Sequence, residues 1–345
     1  MTRIESAFAA VVLLALALVH GPSASPAAEA ATIAPSEKWS NVFSGADVTF
    51  HYVVRSDEAL AGRLNWSLSV DRRTVEHGQV PLNIPADRAA EIAVPLKMPE
   101  VKPGVILQAQ LSAAVYPTGA RRPAAEHSKT VWIFPRDPFA EQSEWLKGLK
   151  ITLFDPEGKT ADVLEKVHVP VKFTKNISAL DDLKEGMLVI GEGTAWRDYR
   201  GLGEAMVKAA ARGVPVLCLA PGDGWLVLPG SEGTDLPRPA GLTFRQEDVI
   251  TELDKRLDAG AWTFGSRVAA IRLAIKSDRD QVVAAAANDG PGWAWLNARY
   301  AAPRGRLIIC CFPIIRQWEA SPAPRYLLVE LFRRLNAAAQ SVSLP

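Results

Sequence analysis

Histidine and cysteine are scarce in this chain of 345 residues, and their scarcity excludes much chemistry. The five histidines, His20, His51, His77, His127 and His168, are scattered. A zinc site needs His, Cys or carboxylates grouped at short spacings, so no metal centre is legible and no cofactor is implied. The three cysteines, Cys218, Cys310 and Cys311, sit in the most apolar segments of the second half, without metal-ligand spacing. Buried free thiols are the expected state. Adjacent residues on a strand point to opposite faces, so at most one of Cys310 and Cys311 could meet Cys218.

Charge of one sign is not in excess either. Lys and Arg total 39 against 38 Asp and Glu, a net charge of +1, and no long block of like charge occurs. Nothing marks nucleic-acid binding. Long apolar runs are also missing. The run at residues 8–19 is too short for a helix across a hydrocarbon core of roughly 30 Å, which takes about 20 apolar residues. Arg3 precedes that run and Ala28-Glu29-Ala30 follows it, the pattern of a secretory signal over residues 1–30. No Cys follows the run, so there is no lipobox. The expectation is an exported protein, periplasmic or extracellular, with no stable membrane insertion after signal cleavage.

What the chain does have is the composition of a folded protein, 48% apolar and 22% charged, and a length that suits two cores better than one. Residues 47–55, 62–70, 91–96, 104–115 and 130–134 read as short strands without helical periodicity. In Val48-Thr49-Phe50-His51-Tyr52-Val53-Val54 and Leu64-Asn65-Trp66-Ser67-Leu68-Ser69-Val70 apolar and polar positions alternate, as strands with one buried face require. Prolines 81, 85, 95, 99 and 103 punctuate them. The expected unit is an antiparallel, immunoglobulin-like β-sandwich over residues 37–136, without the Cys pair of antibody domains. His51 and His77 are expected at its surface, and Trp66 and Trp132 at inward-looking parity.

Phe134-Pro135-Arg136-Asp137-Pro138-Phe139 ends the last strand, and the rhythm then changes. Strands at 150–154, 187–190 and 214–219 alternate with helices at 160–166 and 201–212, which implies a parallel sheet. Met187-Leu188-Val189-Ile190 and Val214-Pro215-Val216-Leu217-Cys218-Leu219 are continuous apolar runs, as expected when helices cover both faces. A loose stretch at 222–241 precedes a helix at 248–257, strands at 281–287, 293–300 and 306–312, and a closing amphipathic helix at 325–338. The second unit is thus a three-layer α/β domain over residues 145–340 with a mainly parallel sheet. No internal repeat is visible.

Four segments carry a family resemblance: Lys150-Ile151-Thr152-Leu153-Phe154-Asp155, Leu188-Val189-Ile190-Gly191-Glu192-Gly193, Gly213-Val214-Pro215-Val216-Leu217-Cys218-Leu219-Ala220, and Ile309-Cys310-Cys311-Phe312-Pro313 leading to Pro324-Arg325-Tyr326-Leu327-Leu328. Residues 146–338 resemble the class I glutamine amidotransferase-like, flavodoxin-related domains attached to bacterial glycoside hydrolases. The resemblance implies an often noncatalytic domain in polysaccharide handling, with carbohydrate or an envelope protein as partner. An active amidotransferase needs a nucleophilic Cys on a sharp turn after a strand, followed along the chain by a His base. Cys218 lies between Leu217 and Leu219, inside a strand, and no His follows His168. Cys-His catalysis in that order is impossible, and no catalytic residue is assigned.

Gly191-Glu192-Gly193-Thr194 and Gly158-Lys159-Thr160 are too short to be phosphate loops. What remains is position. In open α/β sheets ligands settle at the carboxyl ends of the strands, where strand order reverses. Asp155, Glu157, Lys159, Glu192, Thr194 and Asp223 would gather there, with Trp196 and Trp225 as stacking surfaces. Trp262 is a further loop tryptophan. A carboxylate-dependent hydrolase acting on glycans, with 222–241 as its lid, and an envelope interaction module are the alternatives to a noncatalytic binding protein.

Overall fold

The computed structural model describes residues 31–229, 236–258, 272–276, 281–285, 293–301 and 305–340. Residues 1–30 and Trp262 lie outside them. The described residues are rich in sheet, and the longest helix among them is at their carboxyl end.

The first half is two sheets built from β1 (Ala31–Pro35), β2 (Asn41–Phe43), β3 (Asp47–Ser56), β4 (Leu60–Val70), β5 (Arg73–Ile84), β6 (Arg88–Lys97), β7 (Leu107–Pro117) and β8 (Ala125–Phe134). One sheet runs β1-β3-β6 and the other β2-β8-β7-β4-β5. Alternation decides the core. Phe50, Tyr52 and Val54 of β3 and Leu64, Trp66 and Leu68 of β4 are buried in one cluster, while the residues between them are more exposed. A side-chain period of two buries one face of each strand and leaves the other outward.

β5 lies where the sequence pattern indicated no strand, because Pro81 and a run of exposed positions conceal it. It is the edge of its sheet, where a missing amide hydrogen costs no ladder bond. Trp132 also departs from expectation. Its neighbours Val131 and Ile133 enter the sandwich core, so Trp132 faces out of it and packs against the core of the second half.

The second half contains α1 (Ser143–Gly148), β9 (Ile151–Phe154), α2 (Lys159–Lys166), β10 (Val171–Thr174), α3 (Ser178–Asp181), β11 (Met187–Ile190), α4 (Leu202–Ala211), β12 (Val216–Leu219), β13 (Trp225–Pro229), β14 (Gly241–Arg245), α5 (Asp248–Leu253), β15 (Arg272–Lys276), β16 (Gln281–Ala285), β17 (Trp295–Arg299), β18 (Arg306–Cys310) and α6 (Pro322–Gln340). The main sheet has the order β10-β9-β11-β12-β18-β17-β14. Its first five strands are parallel, and β17 runs antiparallel to both of its neighbours, β18 and β14, so the sheet is mixed. The four residues of β9, β11 and β12 are all buried, which explains their unbroken apolar sequences. β13 occupies part of the stretch read as a lid and pairs with β15 in a small separate sheet.

The two halves meet around Arg325 of α6, which is only 5% exposed. Its guanidinium donates to the carbonyl of Trp318 at 2.6 Å and to that of Arg136, and it stacks 4.6 Å from the centre of the Phe43 ring. Tyr326 adds a hydroxyl bond of 3.1 Å to the Pro135 carbonyl and a ring contact with Phe134. On another side Asp258 accepts from the Ser40 amide and hydroxyl and from the Asn41 carboxamide.

Candidate functional site

Strand order reverses between β9 and β11: the chain goes from β9 outward to β10, then returns to the other side of β9. The carboxyl ends of β9 and β11 therefore diverge into loops with a crevice between them. Four backbone segments wall a cleft of about 600 Å³ there: α2, the loop after β11, the loop after β12, and the turn after β18.

Glu192 ties these walls together. Its carboxylate is buried and accepts the amide hydrogens of Ile315 at 2.6 Å and Arg316 at 3.1 Å. Its own amide donates to the Thr160 hydroxyl of α2 at 2.9 Å. One residue thus fastens the end of β11 to α2 on one side and to the turn after β18 on the other. Burial pushes its carboxyl up to about 7, partly offset by the Ile315 and Arg316 amides and by the charges of Arg316 and Lys159.

Behind the cleft, Asp155 caps α2 from the preceding loop, accepting the Ala161 amide hydrogen at 2.8 Å. Its second oxygen is buried without a hydrogen-bond partner among the described residues. Gly191 lets it fit there, because a Cβ at that position would stand 2.6 Å from this oxygen. Thr194 is buried, and its hydroxyl closes the turn on the Gly191 carbonyl at 2.8 Å. The Gly193 amide reaches the Ala220 carbonyl and the Gly222 amide the Thr194 carbonyl, so the loops after β11 and β12 are zipped backbone to backbone.

Of the residues singled out by sequence, Lys159 and Glu192 line the cleft. Asp155 and Thr194 are buried supports, and Glu157 is an exposed partner of the Lys159 ammonium at 2.6 Å. Asp223 pairs with Arg197 at 2.5 Å. Trp196 corrects the expectation of an exposed stacking surface: it is buried, its indole lying against the Cys218 thiol. Trp225 is half exposed, on β13.

Sequence reasoning missed Asp162, Lys166 and Arg316. The first two had a signal. Lys159, Asp162, Val163 and Lys166 follow the spacing of one helix face, and all four line the cleft. Arg316 had none, since its placement depends on the turn that Glu192 holds.

The cysteines are free and buried. Cys218 faces Ile309 and Leu219 faces Cys310 across β12 and β18, so Cys218 and Cys310 lie on adjacent strands with their side chains on opposite faces of the sheet. Burial pushes the Cys310 thiol up to about 12 and raises Cys218 and Cys311 further above the ordinary range. Such thiols carry almost no thiolate near neutrality. At the end of β12, where a strand-to-helix nucleophile would stand, the cleft is lined by Ala220, Pro221 and Gly222. Among the described residues no group of His, Cys, Asp and Glu could hold a metal ion. None of their helices is long and apolar enough to cross a membrane.

No family model matches the chain, and no curated protein matches it. Solved structures give faint likenesses. The sporulation control protein Spo0M of Bacillus subtilis is 13% identical over 34% of this chain and 55% of its own, with a TM-score of 0.27. A Paenibacillus cycloisomaltooligosaccharide glucanotransferase complexed with cycloisomaltoheptaose is 7% identical over 57% of this chain and 28% of its own, with a TM-score of 0.26. A β-glucuronidase of glycoside hydrolase family 2 is 10% identical over 55% of this chain and 20% of its own, at 0.24. The chain spans little more than half of the first and far less of the others, and at these scores the likenesses assign neither a fold nor an activity.

Proposed function

We propose that this is an exported, noncatalytic binding protein in which the crevice between β9 and β11 holds a small polar ligand bearing negative charge. The observation that carries the reading is the chemistry of the cleft wall. Lys159, Lys166 and Arg316 face it against Asp162 and Glu192, and its described lining includes no hydroxyl, thiol or imidazole side chain. Cations on the walls attract an anionic group, and nothing among those residues can act as a Ser, Thr, Cys or His nucleophile.

Export rests on the signal pattern of residues 1–30. The assignment of the second half to the glutamine amidotransferase-like class, as a three-layer domain, is supported by its five parallel strands. Numbered along the chain they run 2-1-3-4-5, the order of flavodoxin-like sheets. The immunoglobulin-like reading of the first half is supported by its two facing sheets and their alternating burial. A place in polysaccharide handling is what the family resemblance adds.

The hydrolase alternative has one observation in its favour, the Glu192 carboxyl raised to about 7. Against it, both Glu192 oxygens accept backbone amides. These two bonds tie the carboxyl to the turn after β18, so it acts as a latch. A thermal-shift screen of residues 31–345 against oligosaccharides, sugar acids and nucleotides tests the binding claim. A ligand at 100 times its dissociation constant stabilises by about 2.7 kcal/mol. The expected hit is anionic and is lost in Arg316→Ala; a panel that shifts nothing, or a hit indifferent to Arg316, rejects the cleft.

A further inference from the structure

A second concave surface lies on the outer face of the β-sandwich, away from the cleft and unused by the function proposed above. It is a groove of about 670 Å³ across β4, β5 and β7. Strand register builds it. Asn65 stands opposite Gln79 on one neighbour and Ala114 on the other, and Ser67 opposite His77 and Ser112. Small side chains at Ser67, Ser112 and Ala114 leave the middle of the face low. Tyr116 lines one end, with the Arg63 guanidinium 5.7 Å from its ring centre.

The lining has an unusual composition. It includes no Asp, Glu, Lys or Arg. Nucleic acid would need cations here. A protein partner would need an apolar centre, and Ala114, Tyr116 and Trp66 do not make a contiguous one. What the groove offers is side chains that both donate and accept: the carboxamides of Asn65 and Gln79, the hydroxyls of Ser67 and Ser112, and the imidazole of His77. The Asn65 carboxamide oxygen is buried and has no hydrogen-bond partner among the described residues, while His77 and Gln79 are exposed. The Ser112 hydroxyl is fixed by Ser128 at 3.0 Å, itself bonded to the Gln110 carboxamide at 2.6 Å. Neutral groups that donate and accept in pairs, beside one aromatic ring, complement an uncharged polyol with an apolar ring face. The volume falls in the range of about 300–1,000 Å³ usual for ligand sites.

We infer that this groove binds a neutral oligosaccharide, laid across β4, β5 and β7 with a sugar ring on Tyr116. The inference deepens the polysaccharide part of the proposed function and rests on that part of it, but it uses a different surface from the charged cleft.

Native affinity electrophoresis of the full chain tests it, in gels containing mixed-linkage β-glucan, galactomannan or amylopectin, with polygalacturonate as the acidic comparison. At least one neutral polymer should retard the protein. Asn65→Ala and Tyr116→Ala should each weaken retardation about tenfold, the equivalent of about 1.4 kcal/mol. Ala114→Arg, which fills the groove from an outward position and leaves the core intact, should abolish it, with an unchanged melting temperature as the check on folding. Retardation that survives Ala114→Arg but is lost in Arg316→Ala would overturn the groove and leave the polysaccharide reading standing at the cleft. Retardation by polygalacturonate alone would overturn the neutral ligand, and retardation by no polymer would overturn the groove and the polysaccharide reading together.

Discussion

Glu192→Gln should flatten the protein's dependence of stability on pH between about 5 and 7. In the folded chain the Glu192 carboxyl is raised from the ordinary value of 4.5 to about 7, with burial as the largest cause. The folded state therefore holds that proton more tightly than the unfolded state does. The stabilisation is complete below the ordinary carboxyl range and is lost as pH rises through the window to about 7. At about 1.4 kcal/mol for each tenfold of proton affinity, the loss is about 3 kcal/mol. The residue is 8% exposed, so solvent screening takes little from that figure. The glutamine variant has no proton to lose. Its carboxamide accepts one of the two amides that Glu192 serves and opposes the other, so its absolute stability shifts too, but only the slope is diagnostic. Urea denaturation followed by tryptophan fluorescence at half-unit pH steps measures both curves. The difference in unfolding free energy between variant and parent should change by about 3 kcal/mol across the window. Parallel curves would refute the claim that burial outweighs the Ile315 and Arg316 amides and raises the Glu192 carboxyl.

Arg325→Ala should cost about 2–4 kcal/mol, because it strands two carbonyls, those of Trp318 and Arg136, at the junction of the halves. Glu319→Gln should cost under about 0.5 kcal/mol, since Glu319 is 79% exposed and its ion pair with Arg325 is screened; calorimetry of both variants checks the ranking. Gly191→Ala should destabilise by about 1–3 kcal/mol, its Cβ colliding with Asp155, whereas the same change combined with Asp155→Ala should recover part of the loss. Titration with a thiol reagent should find no reactive cysteine in the native protein and three after denaturation, because all three are buried and free.

The parts of this fold that sequence revealed are those in which local pattern and tertiary burial agree. β9, β11 and β12 are short strands buried throughout, so they appear as bare apolar runs. β4 shows its one-sided burial as alternation. β5 was illegible because an edge strand with Pro81 and mostly exposed residues looks like connecting chain. β14 escaped for a similar reason, since none of its residues is buried. At the site, Glu192 was identified by its place after β11, but its role as a latch depends on amides more than a hundred residues away, and no local pattern encodes that. Trp196 was misread for the same kind of reason. It opens a single 3-10 turn, Trp196–Asp198, and the chain around Asp223, whose carbonyl accepts the Trp196 amide at 2.7 Å, draws that turn inward.

The central claim is binding without turnover in the crevice between β9 and β11. Proton NMR with saturation transfer from protein to ligand, run as a time course on the anionic hit of the screen, reports contact and conversion in one sample. The account predicts transfer that disappears in Arg316→Ala, with no new ligand resonances however long the incubation. Product resonances that vanish in Glu192→Gln would contradict it and make Glu192 a catalytic acid.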